Sequence, residues 1–176
     1  MNKFHLRLLA GAAFLLALPW FLSRRPRVAR RAILPGRPAD VFPLLNDLRH
    51  WPRWTEWSRR DEMHFSYDGA PAGVGAVQQW SSRQMDGVLR IVQSVTDERI
   101  AYELDMADGK YHLEGALALE PVGASTRVTW ICKWRGNVNP YARYIDLVFM
   151  WWIGRDFDRS LENLRHLLAT GQNPQA

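Results

Sequence analysis

The chain has 176 residues, 47% hydrophobic and 23% charged, with a formal net charge of +5. This excludes a disordered or collagen-like chain, and the length suits one domain plus an appendage rather than two domains. A single cysteine, Cys132, excludes an intramolecular disulfide, and also a Cys-based zinc site or iron–sulfur cluster held by this chain alone.

The basic excess is confined to the start. Lys3, Arg7, Arg24, Arg25, Arg27, Arg30 and Arg31 are the charged residues of positions 1–31, and positions 32–176 hold 16 basic against 18 acidic residues. A slightly acidic body speaks against nucleic acid as a partner. Between the basic clusters lies an uncharged run of 16 residues, Leu8 to Ser23, LLAGAAFLLALPWFLS. As a helix it would span about 24 Å, against a hydrocarbon core of roughly 30 Å. Arg7 and Arg24 can lengthen it by snorkelling, and Trp20 suits an interface. The residues after the run lack a small-residue cleavage pattern, and an apolar circumference argues against a core helix. Residues 1–26 therefore read as a basic, apolar anchor with one transmembrane helix over 8–23, in an inner (cytoplasmic) membrane of bacterial type. Arg24, Arg25, Arg27, Arg30 and Arg31 would lie against anionic headgroups, at about 1 kcal/mol each. The positive-inside rule places the body in the cytoplasm; an apolar run so near the N-terminus often exports the rest of the chain, which leaves the periplasm as the alternative.

Residues 27–35 read as a first strand ended by Pro35-Gly36, and Pro38–Asp47 as a short helix with proline near its start. In HWPRWTEW, residues 50–57, Trp51, Trp54 and Trp57 recur every third position, which fits a short helix or 3₁₀ turn with the indoles on one side. Strands are expected at Met63–Tyr67, Val77–Arg83, Val88–Thr96, Ile100–Met106, Lys110–Glu120 and Thr126–Arg135, with Asp86-Gly87 as a hairpin signal. Alternation is clear in the last three: Ile100, Tyr102, Leu104 and Met106 share a face, as do Tyr111, Leu113, Gly115, Leu117 and Leu119, and Val128, Trp130, Cys132 and Trp134. In Val88–Thr96 both rows are apolar, so its facing stays open. Short turns between successive strands imply an antiparallel meander with one buried face. From Pro140 to about Ala169 the pattern is helical, with Phe157, Leu161, Leu164 and Leu168 as an amphipathic stripe. Gly154 is a candidate kink, Gly171 a stop, and residues 171–176 a loose tail. Trp151 and Trp152 are adjacent, so one of them must face away from the sheet, toward a membrane or a partner.

Catalytic signatures are sparse. None of the five histidines pairs with another at i+4 or in HExxH, so no metal site is expected, and no cofactor motif is present: neither a P-loop, nor G-x-G-x-x-G, nor G-x-S-x-G.

The order of strand, two short helices, about six strands and a long final helix resembles the helix-grip fold of the SRPBCC superfamily (START, polyketide cyclase, pollen-allergen-like). The residues that carry the likeness are Pro38-Ala39-Asp40-Val41-Phe42, Asn46-Asp47, Trp51-Pro52 and Trp54. Gly73-Val74-Gly75-Ala76 with Trp80, Glu98-Arg99-Ile100 with Tyr102, Thr126-Arg127-Val128-Thr129-Trp130 and Phe157 to Leu168 complete it. The likeness covers about residues 28–169, and it is closest to polyketide cyclase/dehydrase-type members with an N-terminal membrane anchor. It implies an α+β fold: a curved antiparallel sheet of six to seven strands around the C-terminal helix, residues 27–170 forming a ligand-binding domain. Its interior would be a cavity lined by Trp51, Trp54, Trp57, Trp80, Tyr102, Leu104, Tyr111, Leu113, Leu117, Trp130, Cys132, Trp134, Leu161 and Leu164. The function implied is binding or transport of a hydrophobic small molecule, a lipid, quinone or polyketide-like compound. Two alternatives stand beside it. One is a cyclase or aromatase using a pocket Tyr102, Tyr111 or Arg90; the other is a protein-interaction module, with a filled core and an exposed apolar patch at Trp151 or Trp152.

Overall fold

The computed structural model describes residues 3–21, 23, 25–59, 63–83, 85–136, 139 and 141–171. Helix α1 (Lys3–Phe21) leads into strand β1 (Arg27–Pro35) and helix α2 (Pro38–Asn46). Two 3₁₀ turns, Leu48–Arg53 and Trp57–Arg59, carry the first tryptophans. Then come β2 (His64–Gly69), β3 (Ala76–Ser81), β4 (Gly87–Val95), β5 (Arg99–Met106), β6 (Tyr111–Val122) and β7 (Ser125–Trp134), and the chain closes with helix α3 (Arg143–Thr170). The seven strands form one antiparallel sheet in the order β1-β7-β6-β5-β4-β3-β2. The first strand therefore completes the sheet beside the last, and α3 packs against β1 and the inner face.

The expected alternation sets that inner face. Leu113, Gly115, Leu117 and Leu119 of β6 and Thr126, Val128, Trp130 and Cys132 of β7 are buried. In β4 the ambiguity is resolved by a bulge: Ile91 pairs Tyr102, and the pairing then slips so that Gln93 opposes Ala101. Leu89 and Ile91 point inward, Val92 is the extra residue at the slip, and Val95 beyond it is exposed although it continues their row. An extra residue in one strand reverses which row is buried, so neither row could be chosen from its apolar residues alone.

Helix α2 starts on Pro38 at a position that needs no N–H, and Asp40 accepts from the Arg37 N–H at 2.8 Å. Helix α3 ends on Gly171 in the left-handed conformation, φ 66°, its N–H bonded to Leu167 O at 2.9 Å. Gly154 is not a kink: α3 runs through it unbroken. The glycine instead leaves room for the Arg30 guanidinium, which a Cβ there would strike, and Arg30 Nε bonds Asp158 on the next turn at 2.9 Å.

At the N-terminus the structure corrects the expected transmembrane helix over 8–23. Among the described residues no helix is long and apolar enough to cross a membrane. The uncharged stretch falls short of the roughly 30 Å hydrocarbon core, Pro19 sits inside α1, and the helix stops at Phe21. Its end rests on α3 instead: Arg143 Nη1 donates to Pro19 O at 2.9 Å. Arg24 and residues 172–176 of the tail lie outside the described residues.

Candidate functional site

The interior between α3 and the sheet is built around indoles. Trp51, Trp54 and Trp130 are each 0% exposed. Trp51 and Trp54 hang from the 3₁₀ turns and are fixed by their own N–H groups: Nε1 of Trp51 donates to Leu45 O at 2.8 Å, and Nε1 of Trp54 to Leu44 O at 3.3 Å, both on α2. Indoles buried this way carry large apolar area with their one donor satisfied. Trp51 and Trp54 meet Trp130 with centroids 6.1 and 5.5 Å away, and half-buried Trp57 meets it at 5.7 Å. Phe157 of α3 stacks on the other side of Trp130, centroids 3.8 Å apart. The helical stripe placed Phe157 on the buried side of α3, but only the fold shows that it joins the cluster.

A polar pair lies within the cluster. Trp130 Nε1 donates to the Tyr102 hydroxyl oxygen at 2.9 Å. Tyr102 pairs with Gly115 across β5 and β6, and its ring occupies the space a Cβ at 115 would need. Burial, helped by the neighbouring Cys132, holds the Tyr102 phenol well above its ordinary pKa, against the Trp130 bond. Burial also pushes the Cys132 thiol up to about 12. Both groups stay neutral at physiological pH.

The tryptophan-bearing segment is tied to α3 by polar contacts at its rim. Glu56 N–H donates to Ser160 Oγ at 2.8 Å, Asn163 Nδ2 donates to Trp54 O at 3.2 Å, and Arg159 meets the Glu56 carboxylate at 3.1 Å. None of Glu56, Ser160, Asn163 or Arg159 stands out in sequence, because each is an ordinary polar residue until the segment folds back on the helix.

The structure brings together most of the expected lining set. Leu113, Leu117, Cys132, Leu161 and Leu164 are buried in the same core as the indoles, with Leu104 packed against it. Trp80 is buried over Gly87 at the far side of the sheet. Trp134 stands apart, half-buried, edge-on to Phe149 at 5.2 Å, with Nε1 3.4 Å from Asp146. Tyr111 does not line the interior: it is 43% exposed at the end of β6, beneath the Lys110 ammonium.

The three expected acid or carbonyl-polarising groups do not converge. Tyr102 is sealed in the core with its oxygen occupied, and Tyr111 is at the rim. Arg90 is on the solvent face of the sheet, 3.7 Å from Asp105, because Leu89 and Ile91 take the inward positions. On that same face Asp105 Oδ1 bonds His112 Nδ1 at 2.7 Å, and the bond raises the histidine pKa. Glu114 there pairs Lys133 at 2.7 Å and is held below its ordinary value.

The aromatic cluster fills the volume that the likeness reserved for a cavity. Two depressions described on the surface open to solvent instead. One, of about 400 Å³, lies on the sheet edge among His64, Gln79, Trp80, Val88 and Asp105; the other, of about 260 Å³, lies at Trp151, Trp152 and Arg155. Every buried side-chain nitrogen or oxygen among the described residues has a partner. Among the described residues, no three His, Cys, Asp or Glu side chains are grouped to hold a metal ion.

A family model described as "Polyketide cyclase / dehydrase and lipid transport" matches residues 25–169. No curated protein matches the chain. Among solved structures, a Thermus thermophilus protein aligns at TM-score 0.63 and 15% identity, over 84% of this chain and 99% of that one. A Rhodobacter sphaeroides protein aligns at 0.62 and 19%, over 83% and 93%. A protein encoded in the dynemicin biosynthetic locus aligns at 0.59 and 13%, over 84% of this chain; the chain spans about half, 48%, of that protein's length. At these identities the likeness to the structures is one of fold.

Proposed function

The chain belongs to the polyketide cyclase/dehydrase and lipid transport family, and on that premise we propose that it binds and carries a hydrophobic small molecule (a lipid, quinone or polyketide-like compound) between α3 and the inner face of the sheet. The observation that carries this reading is the aromatic cluster itself: Trp51, Trp54, Trp57 and Trp130 with the polar pair Trp130–Tyr102 among them. An interior of this kind supplies mainly shape and desolvation, worth about 0.8 kcal/mol per buried methylene, with the Tyr102 hydroxyl and the buried Gln78 amide among its few polar groups. Tyr102 already holds the Trp130 N–H in the core and Arg90 lies on the solvent face beside Asp105, so the carrier reading is favoured over the cyclase.

The interior is filled when empty of ligand, so uptake has to displace side chains. On this reading the segment from Leu48 to Arg59 is the part that moves. It holds Trp51, Trp54 and Trp57 in and beside two short 3₁₀ turns, and its contacts to α3 at Ser160, Asn163 and Arg159 are two hydrogen bonds and one ion pair with a largely covered Glu56. A ligand entering there replaces indole contacts with its own, with Leu104, Leu113, Leu117, Cys132, Leu161 and Leu164 as the deeper wall.

Native mass spectrometry of the full chain, gently purified and then offered a phospholipid and quinone extract, tests this. A species heavier by one apolar molecule, lost on organic extraction, is expected. A chain that stays at its own mass in every case would overturn the reading.

A further inference from the structure

One solvent-facing row of α3 changes character along its length. Stepping by alternate threes and fours, the row reads Ile145, Val148, Trp152, and then Arg155, Arg159, Glu162, His166; all seven are exposed. The second half is what water demands of such a face. The first half is apolar although Ile145 and Val148 are 67% and 66% exposed, and Trp151 beside them is 59% exposed. The opposite side of the same turns is buried against the domain and carries Arg143 and Asp146.

Arg143, on the buried side of the first turn of α3, bonds the carbonyl of Pro19, and Trp20 and Phe21 at the end of α1 are 64% and 84% exposed. The Arg155 guanidinium lies 4.8 Å over the Trp151 ring. The one acid between Tyr141 and Arg155, Asp146, is buried.

From this we infer that α3 from Ile145 to Trp152 docks the domain flat on the surface of an anionic lipid bilayer. Trp151 and Trp152 enter the headgroup–acyl boundary and Arg155 meets the phosphates, without a spanning helix. Surface helices with an apolar aromatic side and a basic edge sink roughly 5–10 Å into that boundary, and anionic headgroups supply the opposite charge. A second copy of the chain suits the site less well: a symmetric contact would set each arginine edge against its own kind. The inference does not depend on whether the interior takes a ligand.

Co-sedimentation of the full chain with vesicles tests it. Binding is expected to vesicles containing phosphatidylglycerol, to weaken in pure phosphatidylcholine, and to fall in high salt. Trp151→Ser with Trp152→Ser should lower the bound fraction at least about tenfold. Arg155→Glu, on the surface and outside the core, should weaken only the salt-sensitive part, and Trp152→Phe should retain binding. A wild-type chain left in the supernatant with anionic vesicles would overturn the inference. So would binding untouched by both the tryptophan pair and Arg155→Glu, or a lipid-independent dimer that the same substitutions dissolve. Failure here would leave the mass-spectrometric result on the interior unaffected.

Discussion

Trp130 of β7 and Phe157 of α3 stack face to face, their centroids 3.8 Å apart and their planes inclined by 6°. The last strand and the final helix thus meet through this aromatic pair, and Trp51, Trp54 and Trp57 gather around Trp130 at tilted or edge-on angles. The sheet positions Trp130, α3 positions Phe157, and the turns after α2 bring Trp51, Trp54 and Trp57 to them.

Phe157→Ala should therefore cost about 3–5 kcal/mol in a urea unfolding experiment, the usual loss for a large buried ring. Phe157→Leu should cost less than half as much. A loss below about 1 kcal/mol for the alanine variant would mean that α3 is not held through this pair.

Gly115→Ala sets a methyl where the Tyr102 ring lies. Overpacking of this kind costs roughly 1–3 kcal/mol, and the cost should shrink in a Tyr102→Ala background, because the ring is then absent. Equal costs in both backgrounds would show that the glycine is there for another reason.

Tyr102→Phe keeps the ring and removes the acceptor of the Trp130 N–H. Leaving that donor buried without a partner should cost about 1–3 kcal/mol, measured by denaturant unfolding, with the Trp130 indole proton shifted upfield in the NMR spectrum. An unchanged indole shift would contradict the 2.9 Å bond.

Cys132, with its thiol pushed up to about 12 by burial, should resist thiol reagents at pH 8. The thiolate is the reacting form, and in the folded chain it is scarce and covered. Labelling should be complete in denaturant and slower by orders of magnitude without it. Rapid labelling of the native chain would place this part of the core in exchange with solvent.

His112 titrates against Asp105. Its pKa is raised in the folded chain, first by the hydrogen bond to Asp105, so the protonated ring favours folding. That contribution is complete below the unfolded-state pKa and is lost as the pH rises through the folded value. The pair is half exposed, so the effect on stability stays below about 1 kcal/mol. NMR titration should find His112 above an ordinary histidine, and Asp105→Asn should bring it down. A titration that Asp105→Asn leaves in place would assign the shift elsewhere.

Periodicity accounts for most of what the sequence disclosed. Strand alternation was legible in β5, β6 and β7 because each buries one face, and of the stripe Phe157, Leu161, Leu164 and Leu168 the first three are buried while Leu167 takes the last inward place. Where a local irregularity intervened, the pattern was silent: the slip between Ile91 and Gln93 hid the facing of β4, and Arg90 with it. Gly154 read as a kink because a helix-interior glycine is costly, whereas its cause is the Arg30 side chain, 124 positions away in the chain. Trp51, Trp54 and Trp57 were recognisable as one aromatic group. Their packing into a filled interior was not, because composition does not reveal whether indoles surround a space or occupy it. Tyr111 shares the inward row of Leu113 yet lies beyond the end of the helix cover, which alternation cannot show.

The central claim is that the interior around Trp130, rather than the surface of the domain, takes up a hydrophobic molecule. The most direct test is an NMR titration of the full chain, following the indole N–H signals as spin-labelled fatty acid, sterol and quinone analogues are added in turn. Uptake predicts that at least one probe broadens Trp51, Trp54, Trp57 and Trp130 ahead of Trp20, Trp151 and Trp152. Broadening confined to Trp20, Trp151 and Trp152 with every probe would contradict the claim.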